Sequence, residues 1–294
     1  MKRILVLILA CLMILGGCKN ETSEPVYPVE SFNLSFAERP SKVLCLNPEG
    51  EEIIKVLGYG HALLDTEGAF ADKEYPKESE IAALNPDFVI ISEGTQESVK
   101  KALDEKGIKN ITLGRFSSDD ELLTFLEDIS LIFEGSKDWE LKKEQLGYYF
   151  NETGNALKAK AQEMMQANFE EAPTFLFVAG DNFAMTPDTM ESKFLEEIGF
   201  VNLAEGRENY YVPFSELEKK PDILICPEHL ETIPENLGTD IVVSYDYKRI
   251  LHQSPSVFSF RKEILEGIFG EEIVVENNFM PLPEVSEAEE EKKG

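Results

Sequence analysis

Residues 81–91 read IAALNPDFVII, and residues 216–226 read ELEKKPDILIC. In both stretches a short helical segment leads into Pro-Asp and then into four consecutive apolar residues, and the two Pro-Asp pairs lie 135 positions apart. An apolar run without alternation is typical of a parallel strand that is buried on both faces. The repeat therefore predicts two copies of one α/β unit.

The residues around each copy extend this plan. We predict strands at 42–46, 88–91, 111–113, 174–178, 223–226 and 240–244, and helices at 49–57, 99–106, 119–133, 189–198 and 261–269. Residues 139–169 contain no proline and many helix-forming residues, which predicts one long helix between the copies, with Gly147 and Gly154 as points where it could break. The predicted fold class is α/β: two similar Rossmann-like lobes with parallel sheets, joined by one long helix, with a ligand cleft between the lobes.

The first eighteen residues have the pattern of a bacterial lipoprotein export signal. Two basic residues precede an apolar run from Ile4 to Leu15, and Leu-Gly-Gly-Cys follows at 15–18. An apolar run of about a dozen residues is too short to span a bilayer as a mature helix. We therefore expect Cys18 to carry a lipid once the preceding residues are removed, the alternative being an ordinary signal peptide with an incidental cysteine.

These patterns divide the chain into six expected segments. They are a signal peptide at 1–17, a lipid-anchored tether at 18–35, an N-terminal α/β lobe at 36–137, a connecting helix at 138–171, a C-terminal α/β lobe at 172–280 and an acidic disordered tail at 281–294.

Charge and cysteine content exclude some classes of function. The chain has 28 basic and 56 acidic residues, a formal net charge of −28, so its field repels nucleic acid, whose binding depends on Lys and Arg. We expect no nucleic-acid partner. Cys45 and Cys226 lie in apolar strand-like runs, which favours free buried thiols over a disulfide.

Three motifs carry a resemblance to a known family. They are RPSKV at 39–43 with LNP at 46–48 and EIIKVLG at 52–58, then IAALNPDFVI at 81–90, then FLEEIGFVNLA at 194–204. Together, over about residues 38–270, they resemble the lipoprotein substrate-binding proteins of ABC importers for iron-siderophores, haem and cobalamin. The segment between Gly60 and Ile81 is shorter than in many relatives, so one wall of the cleft is expected to be trimmed.

The resemblance implies a binding function. It implies a monomer, lipid-anchored at the extracytoplasmic face of the cell membrane, that captures a metal chelate or corrinoid and delivers it to an ABC permease. No resident cofactor is implied, although the ligand can itself carry iron or cobalt. The long helix implies small lobe motion. Glu80 and Glu216 are the implied permease-docking residues, with solvated helix faces as an equal alternative.

Ligands of open α/β lobes lie at the carboxyl ends of the parallel strands. The candidate ligand-binding residues that follow strands or precede the second-lobe Pro-Asp are Asn47, Glu49, Glu93, Asp181, Phe183, Tyr210, Tyr211, His229, Tyr245 and Tyr247. Each could equally be a solvated loop residue, and His229 could be either an axial ligand or a surface residue. The loops at these strand ends are acidic rather than basic, which argues mildly against anionic ferric siderophores, and Lys248, Arg249 and Arg261 are the only basic groups placed where they could help to bind one.

Catalytic motifs are missing from the sequence. It has no Gly-x-Ser-x-Gly, no His-Glu-x-x-His and no phosphate loop, and its three histidines lack ligand-like spacing. We expect neither an enzyme nor a dedicated metal site. The alternatives that stay open are a surface hydrolase using Glu49, Glu93 and Asp181, and a surface interaction protein that has lost its ligand.

Overall fold

A computed structural model of the chain describes residues 25–64, 77–93, 95–180, 183–204, 211–217, 219–228, 230, 237–246, 254 and 256–274. The first lobe contains a parallel sheet in the order β3-β4-β5, with helices between its strands. Its elements are β3 (Val43–Cys45), α1 (Pro48–Val56), α2 (Glu78–Ala83), β4 (Phe88–Ser92), α3 (Glu97–Glu105) and β5 (Lys109–Leu113).

The second lobe contains a larger, mixed sheet in the order β11-β10-β6-β7-β9, with β8 paired to β6. Its β6, β10 and β11 are parallel, as predicted, whereas the short parallel strand β8 and the antiparallel edge of β7 and β9 were not predicted from the sequence pattern. Its elements are β6 (Thr174–Gly180), β7 (Phe183–Met185), α5 (Met190–Ile198), β8 (Val201–Asn202), β9 (Tyr211–Pro213), β10 (Ile223–Pro227), β11 (Ile241–Tyr245) and α6 (Val257–Phe269).

The repeated Pro-Asp has the same structural role in both lobes. The Oδ2 atom of Asp87 accepts hydrogen bonds from Ser41 N, Ser41 Oγ and Lys42 N at 2.9 to 3.0 Å. The Oδ2 atom of Asp222 accepts from Thr174 N and Oγ1, both at 2.7 Å. Each aspartate thus joins the start of its own strand to the start of the neighbouring parallel strand, which places both repeats at the edge of the sheet opposite the strands' carboxyl ends.

One helix connects the lobes. It is α4 (Asp119–Asn168), 50 residues long, and its backbone leaves helical geometry at Gly135, where φ is 71°. The helix continues through Gly147 and Gly154. Gly154 permits close packing, because a Cβ atom there would lie 3.1 Å from Phe258 Cε1 on α6. The chain is therefore two α/β lobes joined by a long helix, the predicted fold class.

The N-terminal segment packs on the bend in α4. Ser136 N donates to Val26 O at 3.1 Å, and β1 (Val29–Ser31) pairs antiparallel with β2 (Leu34–Phe36) against the same helix. Residues 26–35 of the segment expected to be a tether are therefore part of the folded domain. The expected signal peptide at 1–17, Cys18 and the expected tail at 281–294 lie outside the described residues.

The lobes also share a hydrophobic core. Met190 at the start of α5 and Val257 and Phe258 at the start of α6 belong to the same cluster of buried residues as the first-lobe sheet. The Phe258 ring lies edge-on to Phe150 of α4 at 5.1 Å. Within the described ranges, no helix has both the length and the apolar character needed to cross a membrane.

Candidate functional site

The carboxyl ends of the parallel strands of both lobes define the candidate site, a cleft between the lobes. Asn47 follows β3 at this end, but its side chain is used within its own lobe, because Oδ1 accepts from Gly50 N at 2.8 Å and caps α1. Glu49 lies in the first turn of α1 and is partly exposed. The positive end of the helix dipole stabilises a negatively charged side chain at this position.

Three of the predicted residues, Glu93, Phe183 and Tyr211, keep part of their side chains exposed. Glu93 follows β4 and is exposed, and its carboxylate lies over Gly114, where a Cβ atom would be 2.7 Å from Oε1. Phe183, the first residue of β7, is 47% exposed, which is high for a large apolar side chain. Tyr211 begins β9 and is partly buried. These residues come from both lobes.

Tyr245 does not contact the cleft. It is fully buried in the second lobe, its hydroxyl donates to Val178 O at 2.6 Å, and its ring lies 5.5 Å from Phe177 and 5.7 Å from Phe260. The prediction that Tyr245 contacts the ligand is therefore wrong, and Tyr245 is a residue of the hydrophobic core. The prediction took Tyr245 as the residue after the strand, whereas β11 extends through it.

Several other predicted residues lie outside the described residues. They are Asp181, Tyr210, His229 and Tyr247, together with the basic residues Lys248 and Arg249.

A basic residue that the sequence analysis did not name lies in the cleft. Arg115 follows β5 in the loop that leads to α4, and its Cζ atom lies 5.1 Å from the ring centroid of Tyr211 in the other lobe. Its Nη1 atom is buried and has no hydrogen-bond partner among the described residues. The rule for strand ends, applied to the strand that ends at Leu113, would have identified it.

Arg261 has a different role from the one predicted. Its side chain is only 3% exposed and binds the Asp119 carboxylate through two hydrogen bonds, with Nη1 to Oδ2 at 2.9 Å and Nη2 to Oδ1 at 2.5 Å. Burial alone would raise the pKa of Asp119, but the hydrogen bonds and charge of Arg261 outweigh it and hold the pKa below its usual value. Arg261 therefore joins α6 to the start of α4 and is not free to bind a ligand.

A second polar contact joins the lobes at the start of α6. The Oε1 atom of Glu52 on α1 accepts from Ser254 Oγ at 2.8 Å and from Ser256 Oγ at 2.5 Å. Ser254 is fully buried. With the Asp119–Arg261 pair and the shared apolar core, this contact fixes α6 of the second lobe against the first lobe.

A polar cavity of about 130 Å³ adjoins the Asp119–Arg261 pair. Its charged lining is balanced, and Lys158 in it pairs with Glu197. The charged lining residues are Asp119, Asp120, Glu197, Lys158, Lys193 and Arg261. This balance favours neither an anionic nor a cationic occupant.

Within the described ranges of the chain, no three His, Cys, Asp or Glu residues come together in a way that could hold a metal ion.

Cys45 and Cys226 are free and buried, as predicted. Burial raises the pKa of both thiols, so neither is a reactive thiolate at neutral pH.

The two expected docking residues lie on different local structures. Glu80 caps its own helix, because its Oε2 accepts from Lys77 N at 2.9 Å. Glu216 is exposed at the end of a short 3₁₀ turn, Phe214–Glu216.

Comparison with known proteins identifies the architecture. No family model and no curated protein sequence matches the chain. One similar solved structure is that of a possible iron-binding, periplasmic solute-binding protein from Staphylococcus epidermidis. The two chains are 18% identical, the TM-score is 0.58, and the match covers 79% of this chain and 99% of that one. A periplasmic haem-binding protein from Roseiflexus is 18% identical with a TM-score of 0.57, covering 79% and 98%. The chain has the fold of periplasmic solute-binding proteins.

A third solved structure extends the range of ligands found on this fold. The periplasmic vitamin B12-binding protein of Vibrio cholerae is 14% identical with a TM-score of 0.56, covering 78% of this chain and 96% of that one. The solute-binding fold thus accommodates iron, haem and corrinoid ligands in different proteins. At these identities the likeness establishes the fold, and the ligand has to be argued from the residues of this chain.

Proposed function

We propose that this protein is the extracytoplasmic, lipid-anchored substrate-binding component of an ABC importer, which captures a metal chelate or a corrinoid and delivers it to the permease. The observation that carries this proposal is the arrangement of two α/β lobes joined by one long helix, a fold whose solved examples include iron-, haem- and B12-binding proteins. Exposed Phe183 and partly buried Tyr211 provide the apolar surface that a large chelate needs.

Binding is tested with the chain from Lys19 to Gly294, which contains every described residue. A thermal-shift panel of haem, cobalamin, cobinamide and ferric siderophores is expected to yield one clear stabilisation. A ligand at a hundred times its Kd adds about 2.7 kcal/mol to the free energy of unfolding. A cooperative transition that none of these compounds shifts would refute the proposed ligand class.

The lipid anchor rests on the Leu-Gly-Gly-Cys sequence at 15–18. In cells labelled with radioactive palmitate, we expect the full chain to acquire label and to fractionate with membranes. Cys18→Ala is expected to remove the label, and Cys11→Ala, which lies inside the expected signal, is the matched control that keeps it. Labelling that survives Cys18→Ala would refute the anchor.

Permease docking is assigned to Glu80 and Glu216, one acidic residue on each lobe. The double variant Glu80→Lys/Glu216→Lys is expected to lower uptake while leaving ligand affinity unchanged, because neither residue is among the candidate ligand contacts. Glu105→Lys, an exposed charge reversal on α3, is the control. Unchanged uptake in the double variant would refute the assignment.

Small lobe motion is part of the proposed mechanism. The contacts that support it are the Asp119–Arg261 pair, the Glu52–Ser256 hydrogen bond and Phe258 in the shared core. Domain closure normally needs a hinge that can absorb a large backbone change, and these contacts resist one. Small-angle scattering with and without the stabilising compound is expected to show nearly equal radii of gyration, and a clear contraction would refute this part of the mechanism.

A further inference from the structure

Two large apolar side chains on α4 are exposed. Leu141 is 62% exposed and Tyr148 is 63% exposed, and both lie in the half of α4 that follows the bend at Gly135. Residues seven positions apart in a helix lie on the same side of it, about 10 Å apart along the axis. Gly147 beside them leaves the surface flat, because a Cβ atom there would meet nothing within 4 Å. We call Leu141 and Tyr148 the α4 patch.

The chain enters the folded domain at the bend of α4. Ser136 N donates to Val26 O at 3.1 Å, and the Tyr27 hydroxyl donates to Ile132 O at 2.8 Å, so the N-terminal segment is fastened to the bend. Val26 itself is exposed. Cys18, the proposed site of the lipid, comes eight residues before Val26, and a chain of that length spans at most about 28 Å.

These lengths place the membrane close to the α4 patch. Along the helix axis, Leu141 lies about 8 Å and Tyr148 about 18 Å beyond Ser136, so both are nearer to the bend than the tether can reach. The far end of the helix, Asn168, is about 48 Å from Ser136. The other exposed large apolar side chains of the described residues belong to the second lobe or follow its last helix; they are Phe183, Val201, Val242 and Val274. The α4 patch is therefore the exposed apolar surface of α4 that the lipid anchor can bring to the membrane.

The composition of this helix face suits the headgroup region of a bilayer. A tyrosine ring is apolar and its hydroxyl is polar, which favours this depth. Lys137 and Glu144 lie on the same face and are exposed, so their charges keep the contact at the bilayer surface. A net charge of −28 gives the chain no attraction to anionic lipid, and apolar contact with an uncharged membrane surface has to drive the binding.

We propose that the α4 patch is a membrane-contacting surface, which rests on the zwitterionic lipid headgroups of the membrane that holds the anchor. This inference rests on the proposed lipid anchor and adds a second, non-covalent membrane contact to it. The anchor keeps the patch at a high local concentration next to the lipid. Two apolar side chains are then enough for a contact that the unanchored chain does not maintain.

The test holds the chain from Lys19 to Gly294 on phosphatidylcholine vesicles through an N-terminal hexahistidine and a nickel-chelating lipid. The polarity-sensitive dye NBD is attached at Asn151→Cys, an exposed position about one turn beyond Tyr148. The native thiols in the described part of this chain are buried, so the dye reacts at the introduced cysteine. On the vesicles we expect a blue shift of the dye emission and its quenching by nitroxide-labelled lipids.

The control dye is attached at Ser98→Cys, an exposed position on α3. α3 packs on one face of the first-lobe sheet, with Val99 in the cluster of Val89. α4 packs on the opposite face, with Leu146 in the cluster of Ile90. At the control position we expect neither a shift nor quenching. A response at both positions would show non-specific adsorption and would overturn the membrane surface.

Variants then assign the response to the α4 patch. Leu141→Ser/Tyr148→Ser is expected to abolish the blue shift at position 151 and to keep the melting temperature of the parent, because both side chains are exposed. Val242→Ser, which removes an exposed apolar side chain of the second lobe, is expected to keep the shift. A shift that survives the double variant, or a large fall in its melting temperature, overturns the membrane surface.

Two other outcomes are distinguishable from these. A dye response that grows with protein concentration in the absence of vesicles would show that a second copy of the chain covers the patch, and it would overturn the membrane contact. The hexahistidine replaces the natural lipid, so the vesicle experiment does not require Cys18. A missing dye response therefore overturns the membrane surface and leaves the anchor standing, whereas the palmitate labelling decides the anchor.

Discussion

Replacing Asp119 with Asn is expected to destabilise the protein by about 3 kcal/mol, at the lower end of the range for breaking a buried ion pair. Arg261 is 3% exposed and both of its terminal nitrogens bond to the Asp119 carboxylate. In Asp119→Asn the buried guanidinium keeps one neutral acceptor, the amide oxygen, and loses the carboxylate that accepts two hydrogen bonds. It also removes a negative charge from the first turn of α4, which contributes further destabilisation of about 0.5 kcal/mol.

The pH dependence of this effect follows from the lowered pKa of Asp119. A carboxyl group whose pKa is lower in the folded state than in the unfolded state contributes stability above the unfolded value of about 4. That contribution is lost as the pH falls through the folded-state pKa. The difference in unfolding free energy between the parent and Asp119→Asn should therefore be constant near neutral pH and narrow below about pH 4.

Urea unfolding measures both quantities. Trp139, the single tryptophan of the chain, donates from Nε1 to Glu127 O at 2.9 Å and so reports on α4 near its bend, and far-ultraviolet circular dichroism reports on the whole chain. The control is Glu105→Gln, which breaks the exposed pair with Lys101 and should cost no more than about 0.5 kcal/mol. A cost below about 1 kcal/mol for Asp119→Asn, or one that does not narrow in acid, would refute the assignment of Asp119–Arg261 as a buried contact between the lobes.

Three more predictions concern stability and use the same urea assay. Gly147→Ala should stabilise by about 0.5 to 1 kcal/mol, because a Cβ atom meets nothing there and the helix gains propensity; Gly154→Ala should destabilise, because Phe258 must move, and equal effects would contradict this packing. Asn47→Ala should cost about 1 kcal/mol through loss of the α1 cap, whereas Asn47→Asp should keep it; equal stability of the two would contradict a capping role. Asp87→Ala and Asp222→Ala should each cost about 1 to 2 kcal/mol, and a cost at one site alone would contradict their shared role.

The repeat explains why the fold class could be predicted. Phe88–Ser92 and Ile223–Pro227 are central strands buried on both faces, so their composition alone reveals their place in a parallel sheet. The Pro-Asp before each strand is easily recognised in the sequence, although its aspartate bonds to the start of an adjacent strand that lies 45 to 48 residues earlier in the chain. Where burial on both faces determines a strand, its residue pattern is enough to predict it.

Short edge elements were missed for the opposite reason. Each of the short strands Val29–Ser31, Leu34–Phe36, Phe183–Met185 and Tyr211–Pro213 has only one or two buried residues. Their conformation depends on partners distant in the sequence, such as α4 for the hairpin that the first two form. The bend of α4 at Gly135 agrees with the separate helices predicted at 119–133 and 139–169, but its packing against Val26, 109 residues earlier in the chain, could not be predicted from a local pattern.

Arg115 and Arg261 show why the site was harder to predict than the fold. Arg115 has no basic neighbour in the sequence and Arg261 precedes Lys262, and neither context shows whether the arginine binds a carboxylate of the protein. What separates them is whether the fold brings a carboxylate to the guanidinium: Asp119, 142 positions away, reaches Arg261, whereas Arg115 meets only the ring of Tyr211 among the described residues. A guanidinium that binds a carboxylate of the protein itself stabilises the fold, and the residues next to it in the sequence do not reveal that distant partner.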